Sequence, residues 1–239
     1  SPLSSYASEL VLPFPVQLEN PHVVPRSHVL VSTIAAGPRN VRLNSSYATR
    51  GSEAYKVELG SLVAALCRTV PGGILVFFPS YGTLAESVAC WKSFSSGTLW
   101  DAIQRNKIPI EEPRSRDEVP IRVEAFRSAV RKGMGSVLLA VCRGKFSEGV
   151  DFRDAECRAV VVTGLPFPPL MDPQVRVKRD FLDERARAEQ KHHTRTSLTG
   201  EEWYRQQASR AVNQAIGRAI RHRTDWGCIL LADERFASP

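Results

Sequence analysis

Gly73-Ile74-Leu75-Val76-Phe77-Phe78-Pro79 is the stretch that decides the fold class. Five consecutive apolar residues between a glycine and a proline leave no polar face to turn toward water. Such a run belongs to a strand buried on both sides, as in the interior of a parallel sheet. Before it, Val57, Leu62, Val63, Leu66 and Val70 mark an approximate apolar stripe on a helix over 52–70, and Pro71-Gly72-Gly73 stops that helix. After it, Ser80 is placed to cap a helix that runs to about residue 94.

The same alternation extends in both directions. Strands are predicted at 29–34, 137–142, 158–163 and 228–232, and helices at 119–132, 173–191 and 201–222. Gly164-Leu165-Pro166-Phe167-Pro168-Pro169 reads as a rigid loop, and 192–200 as a loose polar connection. Residues 95–116, with Pro109 and Pro113, read as an irregular connection with room for a short helix. Residues 1–26 carry Pro2, Pro13, Pro15, Pro21 and Pro25, which predicts an extended arm rather than a helix. Strands alternating with helices imply an α/β fold, a mostly parallel sheet covered on both faces, in one domain over 1–239.

Composition sets looser bounds. Lys and Arg number 32 against 25 Asp and Glu, a net charge of +7, which suits either an anionic partner or simple solubility. The five cysteines form no C-x-x-C pair. Cys67, Cys142 and Cys228 lie in apolar stretches, so they read as small buried hydrophobes of an intracellular protein. No apolar run approaches the roughly 18 residues a membrane span needs, and no membrane partner is expected.

Two segments carry chemistry. In Gln214-Ala215-Ile216-Gly217-Arg218-Ala219-Ile220-Arg221, helical spacing predicts that Gln214, Arg218, Arg221 and Arg210 share one face. Guanidinium groups so grouped can hold phosphate oxygens bidentately or neutralise charge on a γ-phosphate; they can equally form a solvated basic face. In Val141-Cys142-Arg143-Gly144-Lys145-Phe146-Ser147-Glu148-Gly149-Val150-Asp151-Phe152, glycines, cations, a hydroxyl and carboxylates follow the end of a strand, where ligands gather in open α/β sheets. A tight turn with solvated charges has the same composition. Spacing alone leaves both choices open.

The two segments, in this order and about 65 residues apart, resemble motifs V and VI of superfamily 2 helicases. Ser147-Glu148-Gly149-Val150-Asp151-Phe152 and Gln214-x-x-Gly217-Arg218-x-x-Arg221 resemble the iron–sulfur branch typified by the xeroderma pigmentosum group D helicase. Ile74 to Tyr81 is similar to motif IV of that branch, and Thr163-Gly164-Leu165-Pro166-Phe167-Pro168 with Met171-Asp172-Pro173 to its loop after motif V. Phe14-Pro15-Val16-Gln17-Leu18-Glu19-Asn20-Pro21-His22 and the stretch from Trp203 to Arg223 resemble the regulator of telomere elongation helicase family. The resemblance is weak over 36–56, 92–118 and 185–198.

The resemblance implies a RecA-like second motor domain of an ATP-dependent, 5′-to-3′ DNA helicase of the nucleus, acting in DNA repair and telomere maintenance. Arg218 and Arg221 then match arginine fingers, Gln214 a motif VI amide near ATP, and Glu148, Gly149 and Asp151 cleft positions of motif V. Ser80, Tyr81, Arg143 and Lys145 are the candidates for contacts to single-stranded DNA and DNA secondary structures. The chain has no G-x-x-x-x-G-K-[ST] loop, no Asp-Glu-x-His box and none of the four cluster cysteines of the branch. ATP with Mg2+, and a 4Fe–4S cluster, are therefore expected on a first motor domain that partners this one. Asp233 and Glu234 end a strand and read as structural, and His192-His193 as solvated. The rival reading is a basic nucleic-acid- or protein-binding module without an ATP role.

Overall fold

The structure, a computed structural model, describes residues 10, 12, 14–18, 24–147, 149–191 and 198–237, with side chains 189–191 excepted. Most of the expected arm over 1–26, Glu148, and most of the polar connection including His192-His193 lie outside the described residues. Two compact units are present: Val23–Leu165 with Val212–Pro239, and Ser1–His22 with Pro166–Ala211.

The larger unit is built on six strands: β1 (Val29–Thr33), β2 (Gly73–Phe78), β3 (Ile108–Glu111), β4 (Ser136–Val141), β5 (Ala159–Val162) and β6 (Gly227–Leu231). Their order is β1-β6-β5-β2-β4-β3, and every pairing is parallel. The quoted apolar run is the central strand β2, and all its residues are buried. Ile74, Val76 and Phe78 face α1 (Glu53–Thr69) and α2 (Tyr81–Ser93), meeting Leu59, Leu62 and Trp91. Leu75 and Phe77 face the other side, against Phe126 of α4 (Val119–Arg131), Phe146, Phe152 and Val212. Helices thus cover both faces, and each fully buried large side chain contributes about 1.5–3 kcal/mol. Ser80 caps α2 as predicted, accepting from the Thr83 N–H, and Ser52 caps α1 in the same way, accepting from the Tyr55 N–H.

The structure departs from expectation at two places. Residues 95–116 hold the short helix allowed for, α3 (Thr98–Gln104), and also a strand that was not expected, β3. As an edge strand, β3 pairs only with β4, so just Ile110 is buried and Pro109 is tolerated, which hides the strand in the sequence pattern. The helix expected through 222 ends earlier: α6 spans Gly200–Ile216. Past it the backbone tightens, with Arg218 and Ala219 N–H groups donating to the carbonyls of Ala215 and Ile216. Gly217 weakens the helix there, and Ala219 turns into the core.

The smaller unit contains α5 (Pro173–Lys191) and the first part of α6. Asp183 accepts from the Gly200 N–H at 2.8 Å, Arg179 pairs with Glu201 at 3.1 Å, and Phe167 stacks on Tyr204 with centroids 5.0 Å apart. Thr199 and Glu202 form reciprocal side-chain-to-backbone bonds at the helix start.

After β6, Asp233 is wholly buried and accepts from Ser45 N and Oγ, both at 2.8 Å, and from Arg235 N, Nε and Nη2 at 3.0, 2.8 and 2.7 Å. Burial pushes its carboxyl up, but the donors from Arg235 and Ser45 outweigh that and hold it below the usual range. The stabilisation is therefore complete above the unfolded value, about pH 4, and is lost as pH falls through the lower folded value. Asp233→Ala should cost about 3–5 kcal/mol in urea unfolding at pH 7, because it strands the Arg235 guanidinium. Asp233→Asn should remove part of the wild-type loss of stability below about pH 4.

Candidate nucleotide and nucleic-acid site

The loop over 142–152 leaves the carboxyl end of β4 and is pinned to the core at two points. Phe146 and Phe152 are fully buried, and Phe152 meets Phe126 edge-on with centroids 5.2 Å apart. Between these anchors the Ser147 hydroxyl donates to the Val141 carbonyl at 2.8 Å. Gly149 adopts φ 84°, a left-handed conformation that glycine takes without steric cost. Arg143 holds φ 61° in the same region, a strain of order 1–3 kcal/mol for a residue with a Cβ.

The carbonyls of this loop face the residues beyond α6. The Arg218 guanidinium donates through Nη1 to Val150 O and through Nη2 to Ser147 O. Gln214 Nε2 donates to the same Ser147 carbonyl at 3.1 Å. Arg221 Nε lies 2.9 Å from Asp151 Oδ1, an ion pair out of line for a hydrogen bond, while Oδ2 accepts from Arg153 at 2.7 Å. The Arg153 bond, and then the charges of Arg221 and Arg153, hold the Asp151 carboxyl below the usual range against its burial. Burial and then Arg221 push Arg218 down, although a guanidinium remains charged. The predicted arginines thus come together with Gln214 and Asp151, but through tight turns past the helix end and not on one helix face with Arg210.

Two residues of this cluster were not singled out from the sequence. Asp225 is buried and accepts from the Arg221 N–H at 3.0 Å, from Arg158 at 2.8 Å and from the Trp226 N–H at 2.9 Å. Arg158 also stacks over the Trp226 ring at 4.4 Å. The available signal was the lone carboxylate four residues after Arg221, just before a strand. Asp154, His222 and Asp225 bring potential ligand atoms within 4.8 Å of one another. Both Asp225 oxygens already accept N–H groups, so the trio is a hydrogen-bonded clasp. Asp233, saturated by Ser45 and Arg235, has no capacity left for Mg2+. The five cysteines are free, and none joins a group of potential metal ligands among the described residues.

A second cluster lies where β2, β3 and β4 end. Tyr81 donates to Glu112 Oε1 at 2.6 Å, and Lys145 Nζ lies 3.3 Å from the Tyr81 hydroxyl and 5.2 Å from its ring centroid. Arg114 sits 5.6 Å from the same ring. Burial and the bond to Glu112 push the Tyr81 hydroxyl up to about 12. Ser80 Oγ is occupied in capping α2, 3.2 Å from Thr83 N. Of the candidates for strand contact, Tyr81 and Lys145 are brought together, Ser80 serves its helix, and Glu112 and Arg114 join from the segment expected to be irregular.

The helicase C-terminal domain family profile matches residues 63–239. The chain belongs to that family. It is 49% identical over 99% of its length to the regulator of telomere elongation helicase 1 homolog of Oryza sativa subsp. japonica, and 48% identical over 99% to that of Drosophila melanogaster. The chain spans about a quarter of the length of these relatives, 24% and 23% respectively. Among solved structures, an XPD helicase matches over 88% of this chain and 32% of its own, with TM-score 0.57 and 24% identity. Xpd4 of S. tokodaii matches over 95% and 39%, with TM-score 0.54 and 19% identity. These likenesses establish the RecA-like α/β fold of the family.

Arg218→Lys should loosen the 147–152 loop, because an ammonium is a point donor and cannot fork across two carbonyls. Losing one charge-assisted bond of about 1.5–3 kcal/mol should speed hydrogen exchange of the Gly149–Phe152 amides at least tenfold. Unaltered exchange would show that Arg218 does not hold this loop.

Proposed function

We propose that this domain is the second motor domain of an ATP-dependent DNA helicase and supplies half of an ATP site. One observation carries the reading: Arg218 and Arg221 both close on the loop over 147–151, charged and prearranged beside Gln214, in a chain without a phosphate-binding loop. ATP and Mg2+ would be held by a first motor domain of the same polypeptide. When that domain closes, the γ-phosphate competes with the Ser147 and Val150 carbonyls for Arg218, and with Asp151 for Arg221. The guanidinium groups then neutralise charge that develops during phosphoryl transfer.

The loop that parks the arginines also carries Lys145, next to Tyr81. A cation beside an aromatic ring suits single-stranded DNA, whose phosphates and base faces it can meet together. A change in the arginine contacts is thus felt at the surface proposed to grip the strand. Resemblance to the family supports 5′-to-3′ movement, a nuclear location, roles in DNA repair and telomere maintenance, and a 4Fe–4S cluster elsewhere in the polypeptide. Glu148 and Gly149 are proposed to line the ATP cleft, and Arg143 to reach DNA.

In the full-length protein, Arg218→Ala and Arg221→Ala should each lower DNA-stimulated ATP turnover about 10³-fold, as removal of an arginine finger does. Affinity for single-stranded DNA should change less than about threefold, since these side chains are not assigned to the strand. Retained turnover with lost binding would instead make this a binding module without an ATP role.

A further inference from the structure

Glu112 is a buried carboxylate at the end of the edge strand β3, with its side chain engaged by parts of the domain far apart in sequence. Oε1 accepts from the Tyr81 hydroxyl at 2.6 Å and from the Lys145 N–H at 2.6 Å, and Oε2 accepts from the Val141 N–H at 2.7 Å. Charge-assisted bonds of this length are the strong ones. Pro113 confines the Glu112 backbone to extended conformations, which presets its direction. The turn at Gly144 closes directly against Glu112: a Cβ there would be driven into Oε1. Glycine is thus the residue that lets the loop approach the carboxylate.

The consequence reaches the surface. Lys145 is attached to Glu112 by its backbone and to Tyr81 by its side chain, and Tyr81 is attached to Glu112 by its hydroxyl. Arg114, two residues on, stands over the same ring. These three links close a triangle: Glu112 holds the Tyr81 hydroxyl and the Lys145 backbone, and the ammonium reaches the hydroxyl so held.

The geometry points to Glu112 as the positioning residue of the nucleic-acid surface: its carboxylate fixes the Tyr81 ring and the Lys145 ammonium relative to one another, so that they meet one nucleotide of a single strand as a preformed pair. This inference rests on the reading of the domain as a motor that grips single-stranded DNA. Glu112 itself, a buried anion, does not touch the strand. Its effect on binding passes through a ring that stacks and a cation that neutralises a phosphate.

The test is equilibrium binding of a labelled oligothymidylate to the full-length protein without nucleotide, across a salt series. Glu112→Gln keeps the shape but presents an amide N–H to one of its former donors. It should weaken binding about tenfold, the scale of one lost base–aromatic stack. It should also reduce the slope of log affinity against log salt by about one, the signature of one displaced phosphate contact. Tyr81→Phe, which removes only the hydroxyl, should weaken binding about threefold, and the double variant should bind no more weakly than Glu112→Gln alone. Folding is checked by the urea midpoint. A folded Glu112→Gln protein with wild-type affinity and salt slope would overturn the inference, as would additive effects in the double variant. Should Glu112→Gln fail to fold, wild-type affinity in Tyr81→Phe would overturn it alone. Absence of single-strand binding by the wild type would overturn the motor reading and this inference with it.

Discussion

The Arg218 guanidinium laid across the Ser147 and Val150 carbonyls is the contact on which the arrangement of the site depends. A planar fork of donors reads two carbonyls at once, which a point charge cannot do. The loop between Phe146 and Phe152 is anchored at both ends in the core, which presents the Ser147 and Val150 carbonyls to Arg218. Arg218 satisfies them, Gln214 shares one of them, and Asp151 is left facing Arg221. The two carbonyls that hold Arg218 are neutral acceptors, weaker than a charged phosphate oxygen, so on the proposed function a γ-phosphate would displace them.

The same loop joins the two side-chain clusters. Its first residues belong to the Tyr81–Glu112–Lys145 cluster at the carboxyl ends of β2, β3 and β4. Its later residues belong to the arginine cluster, where Asp225 fixes the Arg221 backbone and Arg158. Only Phe146, buried in the core, separates Lys145 of the first cluster from Ser147 of the second. A short tether between two fixed ends transmits displacement better than a long one. On the proposed function, this short link is what would couple nucleotide state to grip on a strand.

The sheet was largely legible because burial on both faces leaves a plain mark. Five apolar residues between Gly73 and Pro79 could be little else than a central parallel strand, and Ser80 announced its helix by capping chemistry. β3 was not legible, since an edge strand with one buried residue and a proline looks like a connection. The end of α6 was misread because amphipathic spacing continues past Ile216, whereas Gly217 and the burial of Ala219 bend the chain into turns. Arg218 and Arg221 do close on one loop, but through turns and not from a shared helix face. Glu112 and Asp225 escaped notice for a common reason: each works mainly on backbone N–H groups, which no side-chain motif records.

On the proposed function, this chain contributes arginines to an ATP site without being able to hold ATP and Mg2+ itself. The most direct measurement is steady-state ATP hydrolysis by the isolated 239-residue chain with Mg2+, with and without single-stranded DNA. The account predicts no turnover above background in either condition. Turnover on the scale of about 1–10³ per second, as enzymes commonly show, would mean that the chain holds a complete site, and the half-site reading would be wrong.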